Sequence, residues 1–259
     1  MGIRTLGLNS AIKCQDARIL GTNFALGTYP YCIGFWFKYH GTNAWTQADQ
    51  RWIAVFHLST NISQHFHSFA TNTAGVILYQ AGGGGTANSV SLTPPEDISL
   101  GSWFYFFFRA TSGTTRRFGV MSGKTGLITW IVGTTSRITQ VDTFSLGRNV
   151  AGETTNGSLY TFAEFVAING DVPITDSTTA TDVEPFIRAL AYRGPFSIPE
   201  LKGKILSYRS FKHDAIGDQP PAVSERNLTW TSNLVQPNEH PPLHPDYVYP
   251  QSPAFAGMI

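Results

Sequence analysis

A chain of 259 residues carrying a net charge of +1 has the length of one large domain, or one domain with an appendage, and its charge argues against general attraction to nucleic acid or anionic membrane. Charged residues make up only 14% of it, against roughly 25% in an ordinary soluble domain, which points to a surface partly covered in an assembly. Hydrophobic residues reach 42% and aromatics 13%, with 25 glycines, a mixture that favours strands joined by many turns over helices.

Met1-Gly2-Ile3-Arg4 opens without an apolar h-region, so no secretory signal is expected. No run approaches the ~20 apolar residues of a membrane span. The two cysteines, Cys14 and Cys32, are expected as buried free thiols, with one disulfide between neighbouring N-terminal strands as the alternative. Strand-like runs then follow in series: Tyr31 to Tyr39, Arg51 to Leu58, Gln64 to Ala70, Gly75 to Gln80, and Ser89 to Leu92. Trp103 to Ala110, Arg116 to Met121, Leu127 to Val132, Gln140 to Leu146 and Ser158 to Ile168 complete it. Turn chemistry separates them, as in Gly41-Thr42-Asn43, Thr93-Pro94-Pro95-Glu96-Asp97 and Asn169-Gly170-Asp171. Short strands at this spacing predict a sandwich or barrel, and connections this short predict antiparallel pairing. Phe104 to Phe108 is apolar at every position, so it is expected as a central strand buried on both faces, the second face lying under a loop or another subunit.

One helix is expected over about residues 181–193. Thr181-Asp182 forms its N-cap region, Val183, Phe186, Ile187, Leu190 and Ala191 recur at helical spacing, and Gly194-Pro195 ends it. From about Lys212 the character changes: eight of the 15 prolines fall between Pro220 and Pro253. Such a segment is expected to be extended rather than sheet or helix. The predicted organisation is therefore a β-sandwich over 1–211 and an extended proline-rich arm over 212–259. Left free, the arm would be disordered. Leu243, Tyr247, Tyr249, Phe255 and Ile259 are its candidate anchors on a partner.

Catalytic and metal patterns are thin. Glycoside hydrolysis needs two carboxylates held about 5–9.5 Å apart, and no strand carries two acids at that spacing. Glu164 stands alone amid apolar residues, and Glu96-Asp97 falls in a Pro-Pro turn. His65 and His67, with His57, could face a transition metal, but alternation with Phe66 reads as the solvent side of an amphipathic strand. Gly119 to Thr125 is one residue short of a phosphate loop and reads as a hairpin turn. Arg116-Arg117 reads as two side chains on a solvated hairpin. Trp45, in a turn-like segment, is the candidate for an exposed glycan or subunit contact. No cofactor and no metal is expected.

Several stretches together resemble the concanavalin A-like jelly roll, in particular its laminin-G-like branch: Phe35-Trp36-Phe37-Lys38, Leu100 to Tyr105, Phe144 to Arg148, and Ser158 to Asn169, in the family's order. The resemblance implies an all-β, antiparallel jelly-roll sandwich. The acidic residues that hold calcium in some relatives, and the glutamate cluster of the glycanases, have no counterpart here. The plan of such a body followed by a proline-rich arm also resembles jelly-roll proteins of tailed-phage particles. That resemblance implies a non-enzymatic virion protein made in a host cytoplasm, a capsid decoration or cementing subunit. Its partner would be the major capsid protein or another virion protein, and it would form a homo-oligomer such as a trimer. The alternative it implies is a glycan-binding module of a phage tail or fibre.

Overall fold

The computed structural model describes residues 3–5, 12–14, 30–39, 51–57, 66–72, 75–82, 88–98, 101–112, 115–134, 143–146, 160–175, 177, 179–209, 229–230, 234–235 and 241–247. They form fifteen strands in two antiparallel sheets, with one short helix. The strands are β1 (Ile3–Thr5), β2 (Ile12–Cys14), β3 (Tyr31–Tyr39), β4 (Arg51–His57) and β5 (Phe66–Thr71). Next come β6 (Ile77–Gly82), β7 (Asn88–Leu92), β8 (Trp103–Ala110), β9 (Thr115–Ser122) and β10 (Ile128–Thr134). The last are β11 (Thr143–Leu146), β12 (Tyr160–Asn169), β13 (Ile205–Arg209), β14 (Thr229–Trp230) and β15 (Leu234–Val235).

One sheet runs β10-β9-β8-β3-β12, and the far edge of β12 is shared end to end by β1 and β13, with β15 on β1. The other runs β14-β2-β11-β4-β5-β6-β7. The early aromatic run, the Trp103 to Ala110 run and the closing run, predicted as strands, are the neighbours β8, β3 and β12 at the centre of the first sheet. The antiparallel sandwich expected from the turn spacing is thus the observed fold.

Alternation along these strands feeds two cores. Tyr31, Ile33, Phe35, Phe37 and Tyr39 of β3, with Phe104, Phe106 and Phe108 of β8, point between the sheets and meet Phe56, Phe69, Ile77 and Tyr79 of the other. The rings interlock: Phe35 stacks on Phe106 at 4.9 Å, and Phe69 meets Phe106 edge-on at 4.6 Å. Each such ring contributes roughly 1.5–3 kcal/mol on burial. The intervening residues, Cys32 and Trp36 of β3 and Tyr105 and Phe107 of β8, build a second core on the outer face. The cover there is the chain's own segment after β12. Helix α1 (Val183–Arg188) runs on as a π-turn (Ala189–Arg193), and Val183, Phe186, Ile187, Leu190 and Ala191 are all buried against the sheet. Trp36 fixes this cover by donating its indole N–H to the Ala191 carbonyl at 3.1 Å. Gly194, at φ 83°, ends the helical segment in a conformation that a side chain disfavours, and Pro195 follows. Asp182 sits at the N-cap, but its carboxylate takes the Thr175 amide at 2.8 Å instead of a helix amide.

Three expectations are corrected. Arg116 and Arg117 are not on a solvated hairpin: both are fully buried. Arg117 lies 4.3 Å from the Trp130 ring centre and donates to the Ser177 carbonyl at 2.7 Å, and Arg116 donates to the Ser112 and Thr115 carbonyls. His67 is not on a solvent face: it shares the inward parity of Phe69 and is fully buried. The proline-free stretch 222–236 contributes β14 and β15, so the segment after residue 212 does join both sheets. Cys32 is a buried free thiol as expected, facing the outer core from β3. Cys14 lies in β2 of the opposite sheet.

Candidate functional site

Residues 241–247 cross the outer core as a strap. The His244 amide donates to the Tyr192 carbonyl at 2.9 Å, and the Tyr247 amide closes a turn onto the His244 carbonyl at 2.9 Å. Pro242 packs where a Cβ on Gly123, in the β9–β10 turn, would also meet the Trp36 ring. Tyr247 is only 9% exposed and joins the outer core, with Leu243 packed beside it. Pro241 is buried as well.

Beneath Tyr247 lies a polar cluster that the sequence does not announce. A bulge between Ala163 and Val166 adds one residue to β12 relative to β3. Glu164 takes the extra position at φ 52°, so Phe162 and Phe165 both face inward while the carboxylate turns to the outer core. Glu164 is 2% exposed and accepts the Tyr208 hydroxyl. The Tyr208 and Tyr247 hydroxyl oxygens are 3.4 Å apart. Burial pushes the Tyr247 phenol well above its ordinary value, and the Glu164 charge pushes it further. Tyr105 is shifted the same way by burial, then by Cys32 and Glu164. Cys32 is raised by burial against the pull of Arg109. These groups are held protonated and sealed, which is the chemistry of a clamp.

On the outside of the strap lies an open, mostly apolar groove of about 610 Å³. One wall is helical, with Pro185, Arg188, Tyr192 and Arg193; the other is the strap from Pro242 to Pro245. Arg188 reaches Glu184 at 3.5 Å, one turn back on the exposed side of α1. His244 Nδ1 accepts the Asp246 amide at 3.1 Å and stands 3.4 Å from its carboxylate. Two arginines in a lining of proline and tyrosine residues can receive an extended, acidic segment.

Of the candidate anchors, Leu243 and Tyr247 pack within their own chain. Tyr249, Phe255, Ile259 and Trp45 lie outside the described residues. Both ring nitrogens of His67 are engaged by tyrosines, the Tyr31 hydroxyl at 2.9 Å and the Tyr79 hydroxyl at 2.8 Å. Burial, then Arg116, lowers its pKa well below the ordinary value. Among the described residues no cluster of three metal-ligating side chains occurs, and no helix is long and apolar enough to cross a membrane. The groove residues Arg188, Tyr192 and Arg193 were missed because their helical spacing marks only a solvated face. Their only signal was two arginines five residues apart beside a tyrosine.

No protein-family model matches the chain, and no curated protein matches it. Among solved structures it is similar to domains LG4-5 of the mouse laminin α1 chain, with 16% identity and a TM-score of 0.43 over 68% of this chain and 45% of that one. It is also similar to tailspike protein 2 of bacteriophage CBA120, in its enzymatically active domain, with 12% identity and a TM-score of 0.48 over 70% of this chain and 26% of that one. A third is the binding domain of botulinum neurotoxin serotype D, at 11% identity and a TM-score of 0.44 over 64% and 37%. The chain thus spans less than half the length of each. All three TM-scores lie below 0.5, so these likenesses carry no argument about function, and the two-sheet antiparallel sandwich stands on the strand order of the chain itself.

Proposed function

We propose that the chain is a non-enzymatic structural subunit of a virus particle, a decoration or cementing protein on a phage capsid that docks through its sandwich and C-terminal segment. The observation that carries this reading is the strap. It is locked onto the outer core by Tyr247 and, with the π-turn, shapes an apolar groove open to solvent. Leu243 and Tyr247 are engaged within the chain, so the strap serves by forming a contact surface and not by inserting these two side chains into a neighbour. A body with aromatic cores on both sides of one sheet is rigid, so little ordering is needed on docking. Modest contacts repeated over a lattice then add up to firm attachment. The low charge fraction of 14% suits a largely covered surface. Glu164, the lone strand carboxylate among the described residues, lies sealed under Tyr208, which favours a structural role for it over an acid–base one.

The test is recovery of the tagged chain with assembled particles. The reading expects co-sedimentation at a fixed ratio to the major capsid protein, and density for residues 241–247 against a neighbour in particle images. Recovery only in the soluble fraction, together with selective binding on a glycan array, would replace it with the glycan-binding alternative.

A further inference from the structure

The groove lining includes Arg188 and Arg193 and contains no acidic residue. The chain has a single pair of adjacent acidic residues, Glu96-Asp97, and it directly follows Pro94-Pro95. This turn joins β7 to β8. Thr93 and Asp97 are exposed, while Ile98 is buried in the inter-sheet core. The Thr129 hydroxyl donates to the Thr93 carbonyl at 3.0 Å, which ties the turn to β10. None of these residues lines the chain's own groove, so the turn is not seated there within one copy.

We propose that the groove receives the Thr93–Asp97 turn of a second copy of this chain, so that copies associate head to tail. The chemistry matches on both counts. Pro94 and Pro95 are already stiff and lie flat against tyrosine and proline surfaces at low ordering cost. Glu96 and Asp97 then meet Arg188 and Arg193, whose planar forks suit carboxylates. The pair between Arg188 and Glu184 is exposed at both ends, and a weak pair of that kind yields to a partner that also buries apolar surface. Turn and groove are different patches, so the contact is heterologous: it closes into a ring if the rotation permits and otherwise extends as a filament. One turn in one groove is smaller than a standard stable interface, so the association is weak and concentration-dependent. The contact is between copies and stands whether or not they sit on a particle.

Sedimentation velocity of the purified chain over a concentration series tests this. Wild type is expected to associate reversibly, less so at high salt. The variants Glu96→Lys/Asp97→Lys and Arg188→Glu/Arg193→Glu are each expected to weaken self-association by about tenfold or more, because like charges then face one another. An equimolar mixture of the two is expected to associate again, since each turn then meets an opposite groove. The milder Glu96→Gln/Asp97→Asn variant, with unchanged melting, covers the case in which a reversal fails to fold. A wild type that stays monomeric throughout overturns the proposal, as does association indifferent to either reversal or not restored by mixing. Monomeric wild type whose particle binding is lost in Arg188→Glu/Arg193→Glu would overturn self-association while keeping the groove as a docking site for another protein.

Discussion

The Tyr208 hydroxyl donates to the Glu164 carboxylate beneath the outer core, and this bond links the bulge of β12 to the strap through Tyr247. Tyr208→Phe removes a donor from a carboxylate that is 2% exposed. It is expected to cost about 1–3 kcal/mol, read by chemical denaturation. Tyr247→Ala is expected to expose the 241–247 strap to limited proteolysis while the sandwich still melts cooperatively. A strap as resistant in Tyr247→Ala as in wild type would show that backbone bonds alone hold it.

Gly34 faces the Tyr105 hydroxyl so closely that a methyl group at residue 34 would overlap it. Gly34→Ala is therefore expected to destabilise by about 1–3 kcal/mol through overpacking. Adding Tyr105→Phe should recover part of that loss, because the closest overlapping atom is gone while the ring Cζ at 2.9 Å remains. A double-mutant cycle with no coupling would contradict the geometry.

His67 contributes to the acid limb of stability. Burial holds its pKa below the ordinary 6.5, so the unfolded chain takes up a proton that the folded chain refuses. Its contribution is complete above pH 6.5 and falls as the solution is acidified. Melting followed from pH 7 downward should decline in wild type, and His67→Gln should flatten that decline.

The alkaline limb belongs to the outer core. Tyr105 and Tyr247 have phenols raised well above 10.0, and the Cys32 thiol is raised from 9.0. Groups raised in the folded state give their full contribution below the unfolded values and lose it as pH climbs past them. Stability should begin to fall near pH 9 to 10. Tyr247→Phe should make the alkaline decline shallower, measured as the melting temperature against pH.

Much of the sandwich was legible because its central strands bury both faces. Tyr31–Tyr39 and Trp103–Ala110 carry apolar side chains at nearly every position, and few structures other than a covered central strand accommodate that. The helix was legible from Val183, Phe186, Ile187, Leu190 and Ala191, whose spacing requires one buried stripe. His67 was misplaced because alternation was read from Phe66, one residue out of phase with the inward Phe69, and a one-residue slip exchanges the faces. Arg116 and Arg117 were misplaced because a charged pair beside a turn ordinarily stays in water; here backbone carbonyls and Trp130 compensate them. The bulge at Glu164 leaves no mark in composition, since it is a response to packing against β3. The groove was illegible because its two walls lie some fifty residues apart in sequence, and nothing local records that they meet.

The pairing of β15 with β1 and of β14 with β2 places the latest described strands beside the earliest described ones in both sheets. A nascent chain leaving the ribosome therefore cannot complete either sheet until residues 229–235 have emerged. Until then the edges of β1 and β2 stay open to intermolecular pairing, and the loops closed at the end are long. Synthesis rate and chaperone holding, more than final stability, should govern the yield of correctly folded protein.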